Sequence, residues 1–413
     1  MKKLAIVSSY SDLCGNASYT ESLCREFAKY YDVEIFALNS HINKLHAGAA
    51  KKRLGEMAKQ LKKFDLVNIQ FEGGLYGNDP KTIYQNFKQL AKASKNLIVT
   101  LHRYDPKLTF AIKSVFLEFV RYGKRDAWQN IKKNLRENAY RNFENVALKV
   151  VEYCKKNKIA IIVHTERDKL LIQSTHNYQN VYGHPLSFLP KETIDAYKMN
   201  VSKPDFLKKY ALTEKNVCIG IFGFISRYKG HDTMLKALNY LPDNHVALIF
   251  GTQHPLSIMQ YTDTDPYLAE LITLVRGDKK NSLKERVRFC GSLGNDDFIN
   301  ALLCCDFTVL PYLEVNQGGS GIASLALEMG TKAIFSQNLA FLELAKYAPN
   351  CFEMFSIGNY LELADTIRHY VEDNSLALDN YYKNYNIHTS IRLYRDIFEN
   401  HLDKKRDARM LAG

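Results

Sequence analysis

Short apolar runs alternate with longer segments whose apolar positions recur at helical spacing along almost the whole chain. In the first half the runs fall at 4–9 (LAIVSS), 33–37, 66–70, 97–101, 159–163 and 180–182. In the second half they fall at 217–224 (VCIGIFGF), 245–250, 286–290, 306–310 and 332–336. Runs of Val, Ile, Leu and Phe without polar alternation predict strands buried on both faces, which means parallel sheets covered by helices. Helical patterns at 18–30, 81–94, 232–241, 266–276, 295–304, 321–330 and 338–346 supply the covers. The alternation occurs twice, so the expected class is α/β with two doubly wound, Rossmann-like domains. Pro190, Pro204 and a polar, Lys-rich stretch between 190 and 215 mark the expected join, giving domains of 1–200 and 201–385.

Composition narrows this picture. The 413 residues are 46% hydrophobic and 24% charged, which excludes global disorder and fibrous architectures. The net charge of +12 is uneven: residues 1–200 hold 33 Lys+Arg against 19 Asp+Glu, residues 201–413 hold 23 against 25. The whole excess sits in the first half, which therefore faces something anionic. The eight cysteines form no CxxC pair and sit mostly in apolar runs, where free Cys acts as a small hydrophobe, so a reducing cytoplasm is expected. Met1-Lys2-Lys3 leads into an apolar run too short for a secretory leader and reads as a buried first strand. No apolar stretch approaches the roughly 18 residues of a membrane span, so any membrane contact is expected to be peripheral.

Nearly sixty residues separate the runs at 97–101 and 159–163, about twice what one crossover helix needs. This insert, 104–158, carries Phe110, Phe116, Phe119, Tyr122, Trp128, Tyr140 and Phe143 among Lys113, Arg121, Lys124, Arg125, Lys132, Lys133, Arg136 and Arg141. Two readings fit it. One is a pair of extra packed helices with a solvated basic face. The other is an element lying on an anionic membrane surface, apolar face inward and basic face toward the headgroups. No nucleic-acid-binding signature is present, and no nucleic-acid partner is expected.

Two segments carry candidate chemistry. In 306–330 (DFTVLPYLEVNQGGSGIASLALEMG) a strand runs into a Gly-rich turn and then a helix bearing Glu328. Free N–H groups at that helix start, with the positive end of its dipole, make a seat for a diphosphate. Glu328, two turns in, reaches toward the hydroxyls of a ribose. In 219–230 (IGIFGFISRYKG) a buried strand ends in a turn containing Gly223, followed by Arg227 and Lys229, cations placed to neutralise a leaving phosphate. Asp263-Thr264-Asp265 has the pattern used by metal-dependent transferases, but Asp265 before Pro266 reads better as a helix N-cap. No metal ligand set is expected. His102 ends a buried strand at the edge where ligands bind; His184 and His254 sit in turns, and Glu72 and Glu166 follow strands.

In order along the chain, CGNASYT (14–20), DLVNIQFEGGLYG (65–77), VTLHRYDP (99–106), VHTERDKLL (163–171), VYGHP (181–185), FGFISRYKG (222–230) and the 306–330 segment resemble the retaining GT-B glycosyltransferases of family 4. The resemblance implies two Rossmann-like domains facing a central cleft, with a last helix, 386–413, returning to the first domain. It implies nucleotide sugar, UDP- or GDP-linked, on the second domain and acceptor on the first. By residue, Lys229 would bind the donor diphosphate, with Arg227 assisting, and Glu328 the ribose. Gly223, Gln317, Gly318, Gly319, Ser320 and Gly321 would cradle phosphate and sugar. His102 would sit beside the reacting sugar, Gly15 and Asn16 under the diphosphate, and Glu72 on the acceptor side. Ser320 stands where the family carries the first Glu of its donor motif, so Gln317 or Glu314 would replace that contact; Phe224 stands where an Arg is usual.

The function this implies is metal-independent, cofactor-free transfer of a sugar from a nucleotide-diphosphate sugar to a glycan or lipid-linked acceptor in cell-surface polysaccharide synthesis. The expected place is the cytoplasm, peripheral on the inner face of the membrane. Two alternatives stand beside it. One is another GT-B enzyme, an inverting transferase or a nucleotide-sugar epimerase, using Glu72 or His102 as base. The other is a non-catalytic lipid- or nucleic-acid-binding protein on the same fold.

Overall fold

A computed structural model describes residues 1–10, 15–38, 47–104, 146–253, 265–277, 283–314, 318–370 and 374–410. The chain divides into two compact units, residues 1–184 with 391–413, and residues 185–390. The divisions fall at His184/Pro185 and Ser390/Ile391, against 200/201 and 385/386 read from the sequence. The two prolines expected to mark a linker instead open helices. Pro190 caps helix Lys191–Asn200, and Pro204 lies in the first turn of helix Lys203–Lys209, where a missing N–H costs nothing.

In the first unit β1 (Lys3–Ser8), β2 (Asp32–Ala37), β3 (Leu66–Phe71), β4 (Leu97–Leu101), β5 (Ala160–Val163) and β6 (Val181–Gly183) form one sheet in the order β2-β1-β3-β4-β5-β6. Every pairing is parallel. Because side chains alternate across a strand, Val67, Ile69, Val99 and Ile161 share one face. There they pack with Leu54, Met57 and Leu61 of helix Ala47–Leu61 and Ile83, Phe87 and Leu90 of helix Pro80–Ala93. Burying each such side chain stabilises the unit by about 1.5–3 kcal/mol. On the opposite side Asn68, Gln70 and Thr100 are fully buried and hydrogen-bond to one another: Asn68 Nδ2 donates to Thr100 Oγ1 (3.1 Å) and Gln70 Nε2 to Asn68 Oδ1 (2.5 Å). Tyr394, from the last helix (Ile387–Met410), joins this network through Thr100 Oγ1 at 2.6 Å and sets its ring edge-on to Phe27.

In the second unit β7 (Val217–Phe222), β8 (His245–Phe250), β9 (Val287–Gly291), β10 (Phe307–Leu310), β11 (Ala333–Ser336) and β12 (Glu353–Phe355) run parallel in the order β12-β11-β10-β7-β8-β9. The direction in which successive strands are added reverses between β7 and β10, and in the first unit between β1 and β3. In open parallel sheets ligands bind outside the carboxyl ends of the strands at such a reversal. The described cysteines are unpaired. Among the described residues no helix is long and apolar enough to cross a membrane. Residues 105–145, most of the basic aromatic insert, lie outside the described residues.

Candidate functional site

The two segments singled out for their chemistry leave the second sheet at its reversal, one from β7 and one from β10. Their close approach is built on glycine. Gly230 has φ +66°, and a Cβ there would overlap the carbonyl of Pro311, just past β10. A Cβ on Gly251, after β8, would overlap the carbonyl of Gly223. Gly223 itself has φ +107°, and its added Cβ would lie 3.0 Å from Ile322 and 3.5 Å from Lys229 Nζ. So the Lys229 ammonium, the backbone of Gly223 and the first turn of helix Gly321–Met329 converge on one point.

Lys229 is the unusual group there. Its side chain is buried, with the residue only 6% exposed. Nζ lies 3.8 Å from the centroid of the Tyr312 ring, 5.1 Å from that of Tyr228, and donates to Tyr312 Oη at 2.5 Å. Among the described residues no carboxylate pairs with it, and burial pushes its pKa down to about 7. Tyr312 also bonds Ser320. Ser320 caps helix Gly321–Met329 by accepting from the Ala323 N–H at 3.4 Å. Gly319 and Gly321 lie against Leu186 and Phe188, which leaves no room for a side chain at 321 without displacing the Phe188 ring. A buried cation with no counter-ion among the described residues, beside the positive end of a helix dipole, is suited to completion by an anion.

The carboxyl edge of the first sheet gathers a second set. His102 follows β4, His164 follows β5 and His184 follows β6. His102 Nδ1 is 3.1 Å from His164 Nε2, and His164 Nδ1 is 3.1 Å from the carbonyl oxygen of His184. Tyr19, from helix Gly15–Phe27, meets both imidazoles edge-on at 5.9 and 5.4 Å. His102 Nε2 is buried and has no hydrogen-bond partner among the described residues. Glu72, after β3, is held above the usual carboxylate range by burial, with Arg103 pulling it back down. Gly15 and Asn16 open the helix that follows β1, and the Asn16 carbonyl accepts from Thr20 Oγ1 at 2.8 Å.

Neither a family model nor a curated protein matches the chain by sequence. Solved structures do match by shape. HepE of Anabaena, crystallised with UDP and glucose, is 15% identical over 97% of this chain and 100% of its own, with a TM-score of 0.64. Sucrose-phosphate synthase of Thermosynechococcus elongatus is 14% identical over 97% and 100%, also at 0.64. A glycosyltransferase of Rickettsia africae is 11% identical over 97% and 98%, again at 0.64. The fold is GT-B.

On this GT-B framework the structure brings together Gly223, Lys229, Ser320 and Gly321 in one unit, and His102 with Tyr19 in the other. Other expected residues are engaged elsewhere. Arg227 is exposed, pairs with Glu270 at 2.6 Å and stacks on Tyr267. Glu328 is buried, and its two oxygens accept the backbone N–H groups of Phe188 (2.8 Å) and Leu189 (3.1 Å). Glu314 accepts from the Leu339 N–H at 2.7 Å, and Glu166 pairs with Lys169 on the surface. Asp265 caps helix Pro266–Arg276 through Tyr267 N and Leu268 N, with Pro266 in its first turn. Gln317, His254 and Asp263 lie outside the described residues; Gly318 is the first residue described after that gap. Among the described residues no cluster of three His, Cys, Asp or Glu is placed to hold a metal ion. Sequence reasoning passed over Tyr312 and His164. His164 directly follows β5, and Tyr312 follows β10 after Pro311; that position at a strand end was the available signal.

The depressed pKa of Lys229 has a consequence for stability. The unfolded chain keeps this proton up to about pH 10.5 and the folded chain only to about 7. Below pH 7 both forms are charged and the fold bears the whole desolvation penalty; the penalty is lifted as pH rises from 7 to 10.5. The stability gained on replacing Lys229 with Met is therefore expected to shrink between pH 7 and pH 9.5. Chemical denaturation of both proteins at the two pH values checks this; a constant difference would mean an ordinary, solvated lysine.

Proposed function

We propose that the chain is a retaining glycosyltransferase that takes its sugar from a nucleotide-diphosphate donor held by the second unit. The observation that carries this reading is Lys229, a buried ammonium with no described carboxylate beside it, at the sheet reversal and next to a capped helix start. As the sugar leaves, negative charge gathers on the β-phosphate while the ring takes on oxocarbenium character. A preorganised cation and helix N–H groups stabilise that charge without rearranging. On this reading no metal or cofactor is needed. The likeness in fold to HepE, whose crystals held UDP, UDP with glucose, and UDP-glucose, supports a UDP-linked donor.

The acceptor is proposed to be a glycan or lipid-linked saccharide approached from the first unit, where the excess positive charge lies. Contact with an anionic membrane through the 104–158 insert, at the inner face of the membrane, belongs to the same proposal. A second reading, inversion, draws on one observation: Glu72 is a half-buried carboxyl group with a raised pKa at the carboxyl edge of the first sheet, as a general base requires. Proton NMR of the fresh product decides between them. Retention of the donor's anomeric configuration is expected; inversion would transfer the role of base to Glu72 and overturn the retaining mechanism.

A further inference from the structure

We propose that His164 is a positioning residue that fixes the tautomer of His102, so that His102 Nε2 stands as a bare acceptor for a hydroxyl of the substrate sugar. The inference deepens the glycosyltransferase reading and rests on it only for the owner of that hydroxyl.

The hydrogen bonds determine the protons one after another. The carbonyl oxygen of His184 can only accept, and its place is set by the sheet: β6 pairs with β5, and the His184 N–H donates to Val163 O at 3.0 Å. His164 Nδ1, 3.1 Å from that oxygen, must therefore carry a hydrogen. Burial holds His164 neutral, with its pKa pushed down to about 4, so its Nε2 is bare. His102 Nδ1, 3.1 Å from this bare nitrogen, must then be the donor. His102 is also held neutral by burial and by the neighbouring imidazole. Its remaining nitrogen, Nε2, is left with a lone pair, buried and without a partner among the described residues.

A buried acceptor left without a donor has lost its water and gained nothing, and a ligand group that donates to it recovers that cost. At the carboxyl edge of a parallel sheet, beside a helix following β1, the donor suited to it on a sugar is a hydroxyl. The Tyr19 edge contacts hold both rings, so the lone pair has a fixed direction. This is the division of labour in which one ring nitrogen meets substrate and the other is set by a fixed neighbour.

The test compares wild type with His164→Leu and His164→Gln, each labelled with nitrogen-15 histidine. Long-range proton–nitrogen correlation then reads the protonation of each ring nitrogen directly. In wild type His102 is expected to show a protonated Nδ1 and a bare Nε2. In His164→Leu the His102 proton is expected to move partly or wholly to Nε2. His164→Gln, whose carbonyl can accept from Nδ1, is expected to restore the wild-type pattern. A protonated Nε2 in the wild type, or a His102 pattern unchanged in His164→Leu, overturns the proposal.

Turnover is read alongside, with the nucleotide sugar that wild type consumes. kcat/KM is expected to fall about 10–100-fold in His164→Leu and to return to within about threefold in His164→Gln. Equal losses in the two variants would reduce His164 to packing. The stated tautomers with no turnover of any nucleotide sugar would instead place the fault in the glycosyltransferase reading and remove the sugar hydroxyl from the proposal.

Discussion

Replacing Lys229 with methionine is expected to make the protein more stable and nearly inactive. Methionine fills much the same space among Tyr228, Tyr312 and the Gly223 backbone, and it removes a cation that no described carboxylate neutralises. At pH 7 the fold no longer bears the cost of a buried, depressed-pKa amine, worth roughly 2–4 kcal/mol after relaxation. For a unit of this size the melting temperature should rise by roughly 5–10 °C. Turnover should fall by about 100- to 1,000-fold, the usual loss when one group aimed at developing charge is removed. The opposite signs are the diagnostic part. A residue kept only for packing lowers stability when replaced, and a solvated lysine changes neither quantity. Stability rising while activity collapses is the pattern of a group held in a strained state for function.

The second large effect is expected at Glu328, and it separates two roles. Its carboxylate accepts the N–H groups of Phe188 and Leu189, deep in the second unit, and burial pushes its pKa up to about 8 against the pull of those two bonds. Glu328→Ala leaves both N–H groups buried without acceptors and opens a cavity. A loss of roughly 3–5 kcal/mol and a melting temperature about 6–15 °C lower should follow. Glu328→Gln keeps one acceptor but turns an NH₂ toward the other N–H, so its loss should be smaller, about 1–3 kcal/mol. If Glu328→Ala instead melts like wild type and only its nucleotide affinity falls, the carboxylate serves the ribose and not the backbone.

The alanine prediction also shows where sequence reasoning reached its limit. That Glu328 lies on a helix after a Gly-rich turn was legible, because strand β10, the turn and the helix are consecutive in sequence. That its oxygens meet residues 188 and 189 was not, because 139 and 140 positions separate the partners. The same distinction runs through the fold. The runs in β4 and β8 are apolar at nearly every position, and their existence and ends followed from sequence alone; β3 runs one residue past its expected end to Phe71, and β7 stops at Phe222, two residues short of the expected 224. β12 is three residues, Glu353–Phe355, too short to show a period. Helix Ala47–Leu61 did carry a readable stripe, Leu54, Met57, Ala58 and Leu61, beneath a surface rich in lysine.

The closeness of Lys229 and Gly223 was legible because they share one loop with a buried strand. Tyr312 was passed over because a tyrosine after Pro311 has no meaning until Lys229 is seen lying on its ring. His164 was quoted only as part of a longer segment, since its relation to His102 depends on β4 and β5 being neighbours in the sheet. Arg227 illustrates the reverse error of emphasis. Two residues from Lys229 in sequence, it points to solvent and is already paired with Glu270. Spacing along a loop gives proximity of backbone and leaves side-chain direction open.

The anion that completes the Lys229 site is proposed to be a nucleotide diphosphate. Isothermal titration of UDP, GDP and ADP into wild type and Lys229→Met, at pH 7, tests it most directly. Wild type is expected to bind UDP, and the methionine variant, cooperatively folded, to bind it at least about tenfold more weakly. Wild type binding none of the three, or the two proteins binding UDP equally well, would contradict that proposal.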